Sequence, residues 1–276
     1  MRIDAHQHYW QIDRNDYGWL KPDNTVLYRD YFPEQLESSL KRHRIDQTIL
    51  VQAAPTIEET EFLFGLSNGT DSIAGVVGWL DLSSPKWMEH LTRFQTHPKF
   101  VGIRIMIQDM EDESVVLQAP YLRALSILQE EDLPVDLLVR SHQLPVLNEL
   151  LGKVPKLRGV VDHMGKPPIA AGQLEPWKSQ MREIANQPNI YCKLSGMVTE
   201  ADPISWKKED FMFYVNHIID IFGYDRIMYG SDWPVCLSVA NYDEVYQSLF
   251  EILPASCSEE DLAKVFGLNA KRFYNI

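Results

Sequence analysis

The sequence predicts an α/β fold, a (β/α)8 barrel forming one domain over residues 1–276. Three observations predict it. Short β-branched runs alternate with amphipathic segments about eight times, the pattern of repeated βα units. Several runs, such as Ile49-Leu50-Val51 and Gly75-Val76-Val77-Gly78, are apolar throughout, as strands buried on both faces are. No internal repeat, low-complexity tract or Gly/Ser-rich linker divides the chain, and barrels of roughly 250 residues are single domains. The competing open, doubly wound sheet lacks its Gly-x-Gly-x-x-Gly signature at the first strand–helix junction.

Candidate strands are Arg2–His6, Thr48–Gln52, Ile73–Leu80, Phe100–Ile107, Pro134–Val139, Leu157–His163, Ile190–Leu194 and Arg226–Tyr229. Between them, Pro33–Arg42 opens on a proline suited to a helix N-terminus. Thr56-Ile57-Glu58-Glu59 has the Thr-x-x-Glu spacing of a capping box and leads into Phe62, Leu63 and Leu66. After Ser84-Pro85, Trp87, Met88, Leu91 and Phe94 recur at helical spacing. Tyr121–Gln129, Leu144–Leu151, Pro176–Ala185, Phe211–Phe222 and Tyr242–Leu253 complete the alternation. Ser258–Phe266 and Asn269–Tyr274 are read as terminal helices packed on the outside.

Composition narrows the function classes. Hydrophobic residues make up 45% and aromatics 11%, enough apolar material for a large core and against disorder. The balance of 26 Lys+Arg against 39 Asp+Glu, net −13, disfavours a nucleic-acid partner, and no Lys/Arg-rich run offsets it. An isolated basic pocket for a small anion stays compatible with that charge. No basic segment followed by an apolar run opens the chain, and no stretch reaches the roughly 18 apolar residues of a membrane span. Cys192, Cys236 and Cys257 are odd in number and unpaired in spacing. A reduced, cytoplasmic setting is expected, with neither nucleic acid nor membrane as partner.

Barrel catalysis sits at the C-terminal ends of strands. The first strand ends Asp4-Ala5-His6-Gln7-His8, and alternation points His6 and His8 the same way. The sixth ends Val160-Val161-Asp162-His163-Met164-Gly165, and the eighth ends Met228-Tyr229-Gly230-Ser231-Asp232-Trp233-Pro234. Gly230 allows a bend or a close backbone approach. His6 or His8 is equally accounted for by a bond to a backbone carbonyl, His163 by a capped strand with a solvated ring, and Ser231-Asp232 by a turn. Together, His6, His8, His163 and Asp232 offer three imidazole nitrogens and one carboxylate to a divalent metal such as Zn²⁺. The same carboxylate equally suits a general base toward water.

With these motifs in place, the sequence resembles the amidohydrolase superfamily, and within it the sugar-lactone hydrolases related to L-fuconolactonase and L-rhamnonolactonase. The resemblance runs from Ile3-Asp4-Ala5-His6-Gln7-His8-Tyr9-Trp10 through Asp162-His163-Met164-Gly165-Lys166-Pro167 and Gly230-Ser231-Asp232-Trp233-Pro234 to the tail Gly267–Tyr274. It implies hydrolysis at a carbonyl, with Asp232 activating water and His163 beside it as a second catalytic group. His6, His8, His163 and Asp232 would form the metal site. Many members hold two metals bridged by a carboxylated Lys or a Glu ending the fourth strand. Here that region reads Gly102-Ile103-Arg104-Ile105-Met106-Ile107-Gln108, so at most one divalent ion, Zn²⁺ foremost, is expected. A metal-free variant, in which the imidazoles alone polarise the carbonyl, stays open.

The expected substrate is a small sugar lactone, opened to its acid. The alternatives are non-oxidative decarboxylation of an aromatic or enol acid, and hydrolysis of a dicarboxylate lactone. Arg104 and Gln52, at strand ends, are candidate substrate contacts, with a buried ion pair and a loop hydrogen bond as their structural alternatives, and Trp10 and Trp233 are candidate aromatic faces for a sugar ring, with core packing the default for either. The long segment Gln11–Phe32, with Trp19, is a candidate lid over the mouth. Strand alternation leaves open whether Lys193 faces the barrel interior or a helix. His142, near the fifth strand, is read as a helix-start residue with lining the site as the alternative, and His43, His90, His97 and His217 are read as surface residues of helical segments. Homo-oligomerisation is left open.

Overall fold

The structure, a computed structural model, describes residues 1–276. Eight parallel strands follow one another in sequence order around the sheet. They are β1 (Ile3–Gln7), β2 (Gln47–Val51), β3 (Ile73–Gly78), β4 (Phe100–Met106), β5 (Val135–Leu138), β6 (Gly159–Val161), β7 (Ile190–Leu194) and β8 (Ile227–Tyr229). The ring is drawn together where the chain beyond β8 meets β1. Asp232 N donates to His6 O at 2.8 Å, and His8 N donates to Trp233 O at 2.7 Å. This is the (β/α)8 barrel that the alternation predicts.

Eight helices cover the ring: α1 (Pro33–His43), α2 (Ile57–Asn68), α3 (Trp87–Gln95), α4 (Ala119–Glu130), α5 (Leu144–Lys153), α6 (Trp177–Ala185), α7 (Glu209–Phe222) and α8 (Tyr242–Ile252). None is long and apolar enough to cross a membrane. The start of α2 departs from the expected capping box. Thr56 does accept from Glu59 N at 3.1 Å. The Glu59 carboxylate, however, reaches back past Thr56 to the backbone N–H groups of Ala53 and Ala54, at 2.9 Å each. It therefore holds the chain just beyond β2.

Two apolar layers result. The larger packs the outer strand faces against the helices. The smaller fills the barrel lumen with Ile3, Ile49, Val77, Val160 and Met228 among others. The terminal helices α9 (Glu259–Ala263) and α10 (Asn269–Tyr274) are not both external. Ala270, Phe273 and Tyr274 of α10 pack into the lumen cluster, and Arg158, just before β6, donates to Phe273 O at 3.0 Å. The last helix therefore stops the N-terminal end of the barrel and leaves the C-terminal end for chemistry. Two histidines also depart from the surface expectation. His43 is buried against Tyr246 with Nε2 2.6 Å from Asp243, and His217 is buried with Nε2 donating to Lys178 O at 2.9 Å.

Candidate active site

His6, His8, His163 and Asp232 meet at the C-terminal rim. Asp232 Oδ1 lies 3.4 Å from His8 Nε2, 3.8 Å from His6 Nε2 and 3.9 Å from His163 Nε2. All four residues are buried. Strand alternation alone does not explain this. Asp4 reaches out to Tyr242 of α8 at 3.1 Å, yet His6, two residues on, faces the lumen. A register shift between Asp4 and Gln7 supplies the difference. The sixth-strand histidine also lies beyond its strand. β6 stops at Val161, and His163 sits in a tight turn at φ 52°. Asp232 has φ 57°. Left-handed backbone at non-glycine residues costs about 1–2 kcal/mol each and is kept where surrounding contacts impose it.

Two glycines make room for the imidazoles. A Cβ on Gly230 would fall 2.6 Å from His6 Cβ, so the approach anticipated at that position is real. Gly196, at φ 65°, lies under the His163 ring, where a Cβ would meet Cγ and Nδ1 at 2.7 Å. The His163 ring is held by Nδ1 against Ser195 Oγ at 2.9 Å.

Hydrogen bonds define what each imidazole offers. His8 Nδ1 lies 2.7 Å from Val51 O, an acceptor only, so Nδ1 carries the proton and Nε2 presents a lone pair toward Asp232. His6 Nε2 is buried with no hydrogen-bond partner. His6 Nδ1 has both the Lys193 ammonium at 3.0 Å and Asp162 Oδ1 at 3.3 Å within reach. With Nδ1–H on Asp162, Nε2 is a lone pair; with Nδ1 accepting from Lys193, Nε2 becomes a donor.

Beneath the cluster lies a buried charged layer. Lys193 faces the lumen, 2.5 Å from Asp136 Oδ2 and 3.1 Å from Asp162 Oδ1. Arg104 lies 3.7 Å from Asp162 Oδ2, and Tyr274 of α10 donates to Asp136 Oδ1 at 2.8 Å. Two cations and two carboxylates thus balance inside the barrel.

Burial, reinforced by the Lys193 charge, holds His6 well below the ordinary histidine value. Burial likewise lowers His8 against the pull of Asp232, and it brings His163 down to about 4. The three rings are therefore neutral near pH 7, as metal ligation requires. Burial opposes ionisation of Asp232, but His163, His8 and His6 outweigh it and hold the carboxyl below its usual range. Two sets of donor atoms lie within 4.8 Å of one another: His6, His8 and Asp232, and His6, Asp162 and His163. Nitrogen and carboxylate donors, including an unpartnered buried imidazole nitrogen, fit a divalent ion of borderline softness.

The rim opens into a cavity of about 350 Å³ lined by His8, Arg104, His163 and Asp232. Its walls carry residues not assigned from the sequence, chiefly Arg140, Lys166 and Glu200, together with Trp19. Of the candidate substrate contacts, only Arg104 reaches the cavity wall. Gln52 is fully buried and its Oε1 accepts from Arg104 Nε at 2.9 Å and Nη2 at 2.7 Å, so it holds the arginine instead. Trp10 is fully buried, donating to Arg29 O at 2.8 Å, and Trp233 packs against Tyr9 and Tyr31. Both are core packing, and His142 is exposed away from the cavity wall. The charged layer had a legible signal: Arg104, Asp136 and Lys193 interrupt strands otherwise buried on both faces.

The chain is similar to several known proteins. Residues 3–276 match the Amidohydrolase family. A Burkholderia ambifaria protein named L-fucono-1,5-lactonase is 38% identical over 100% of this chain and 96% of its own length. A Burkholderia multivorans protein of the same name is 36% identical, covering 99% and 96%. A crystal structure of an amidohydrolase from Burkholderia multivorans with bound zinc superposes with a TM-score of 0.95 at 36% identity, covering 100% of this chain and 99% of that one. A full-length family match, on a barrel whose rim gathers three neutral imidazoles around one carboxylate, makes this chain a hydrolase belonging to the amidohydrolase family.

Proposed function

We propose that this protein hydrolyses a sugar-derived lactone, an aldonolactone such as L-fuconolactone or L-rhamnonolactone, to the open-chain acid. The names of its full-length relatives support the reaction class. The observation that carries the chemistry is Asp232 Oδ1 within 3.4–3.9 Å of three imidazole Nε2 atoms, with Asp232, His8 and His163 at the cavity wall.

In this reading Asp232, ionised at neutral pH, takes a proton from a water positioned at the rim. The water oxygen bonds to the ring carbonyl carbon, and the carbonyl oxygen becomes an oxyanion. His163, whose ring lines the cavity, faces that oxyanion in a water-poor site where a hydrogen bond counts for most. As the tetrahedral carbon collapses, the ring C–O bond breaks and the departing ring oxygen takes the proton from Asp232. The new carboxylic acid then ionises, so each opened ring releases one proton.

His6, His8, His163 and Asp232 would hold one divalent ion, Zn²⁺ foremost. When bound, such an ion supplies Lewis-acid polarisation and eases deprotonation of water. Arg104, held by Gln52 and facing Asp162, would position ring oxygens.

The cavity wall sets Arg104, Arg140 and Lys166 against Asp109, Glu200 and Asp232. That balance favours an uncharged polyhydroxylated ring over a dicarboxylate. A panel of aldonolactones in weak buffer with a pH indicator, run with and without a chelator, tests the reading. Stoichiometric proton release with a deoxy-sugar lactone is expected. CO₂ release from an aromatic acid, or no lactone opened, would overturn it.

A further inference from the structure

The segment between β1 and α1 is built as a fixed wall of the mouth. Trp10 and Tyr31 close its base with a reciprocal backbone pair at 3.1 and 2.9 Å. Asp16, midway along, accepts from Thr56 Oγ1 at 2.9 Å and from Arg14 at 2.6 Å. At its tip, Trp19 Nε1 donates to Ala53 O at 2.9 Å, which ties the indole to the chain leaving β2. The Trp19 ring stands edge-to-face on Trp10, with centroids 5.4 Å apart and planes at 88°. Two independent contacts therefore fix the orientation of the indole before any ligand arrives. Trp19 nonetheless remains 40% exposed, and it lines the cavity beside His8 and Ala53.

Strand order places what lies across from it. In a ring of eight, β2 stands opposite β6. Lys166 follows β6, with Nζ 3.8 Å from Glu200, which follows β7; Arg140 follows β5. The mouth thus has an aromatic wall on the β2 side and a hydrogen-bonding wall on the β5–β7 side, with Asp232 and His8 between their ends.

We propose that Trp19 is the specificity-determining residue of this site. Its pre-set indole receives the C–H face of the lactone ring, and the ring hydroxyls turn toward Arg140, Lys166 and Glu200. Saturated sugar rings carry one face of C–H bonds that packs on an aromatic surface. An indole already held in place loses little further freedom on binding. The class of substrate selected is a lactone with a contiguous C–H face, and a deoxy methyl group extends that face. This rests on the lactone-hydrolase reading and says which side of the substrate the protein grips.

The test compares wild type, Trp19→Ala and Trp19→Phe on aldonolactones, together with a tryptophan-fluorescence titration using the aldonate product. Trp19→Ala should raise KM about tenfold or more while kcat stays within about threefold. Trp19→Phe should keep most of the affinity, because a ring remains, yet lose the saturable fluorescence change expected of wild type. An unchanged KM in Trp19→Ala, or the same fluorescence change in Trp19→Phe, overturns the assignment while leaving lactone hydrolysis intact. A wild-type protein that opens no aldonolactone overturns the hydrolase reading instead. The titration then decides the role of Trp19: a Trp19-dependent change with aldonate or lactone upholds it, and none removes it.

Discussion

Lys193 Nζ stands 3.0 Å from His6 Nδ1 and 2.5 Å from Asp136, with all three residues fully buried. The ammonium is thus both the counter-charge for two interior carboxylates and a direct neighbour of a site imidazole. Replacing it with Met would leave Asp136 and Asp162 without that charge. Loss of one partner from a buried ion pair costs about 3–5 kcal/mol. Lys193→Met should lower the urea midpoint accordingly, and adding Asp136→Leu should recover part of the loss. A midpoint equal to wild type would show that the layer contributes no stability.

Asp232→Asn keeps the shape of the side chain and removes its basicity. The expected drop in kcat is about 10²–10⁴-fold, the usual worth of a positioned base, with the melting temperature near wild type. Near-normal turnover would take Asp232 out of the mechanism.

Gly230→Ala places a methyl group 2.6 Å from His6 Cβ and 3.2 Å from Ser195 Cβ. The backbone must shift, at about 1–3 kcal/mol, and the imidazole shifts with it. Reduced stability and weaker zinc binding by calorimetry are expected together. Gly65 in α2 is the control, since a Cβ there meets nothing within 4 Å. Gly65→Ala should stabilise by about 0.5–1 kcal/mol.

Elemental analysis of protein purified without chelator should find at most one tightly held divalent ion per chain. The fourth strand, Phe100–Met106, carries no Lys or Glu to bridge two ions. Two ions per chain would contradict this.

Burial brings His163 down to about 4, so its ring refuses a proton that the unfolded chain accepts below about pH 6.5. The sign follows: this group costs stability progressively as pH falls from 6.5 toward 4, and nothing above 6.5. Asp4 and Glu59 work the other way, because burial raises them to about 6 and about 8. The effect is therefore read as a difference. In chelated protein, the stability advantage of wild type over His163→Gln should shrink as pH drops through that window. A constant difference would mean that the ring is not held neutral.

All eight strands and their covering helices were legible because both-face burial writes apolar runs, and surface helices write a 3.6-residue period, into short stretches of chain. The meeting of His6, His8, His163 and Asp232 was legible for a related reason: strand ends share one rim, so motifs far apart in sequence converge once the topology is known. Gln52 was misread because its amide is spent on Arg104 of β4, a partner 52 residues away. Trp10 and Trp233 were misread because an aromatic beside a strand end looks the same whether it packs inward or faces a ligand.

The amino-acid sequence by itself determined the barrel, the order of its units and the four side chains gathered at its rim. The barrel and the shared rim follow from periodicity and strand polarity, which are local properties; the register shift that turns His6 into the lumen does not. Tertiary structure alone decided that Lys193 faces His6, that Trp19 rather than Trp10 reaches the cavity, and that the last helix stops the barrel floor. Each of these depends on long-range contacts, such as Lys193 to Asp136, Trp19 to Ala53 and Arg158 to Phe273. Such features arise from packing between distant segments, and no short window of sequence carries them.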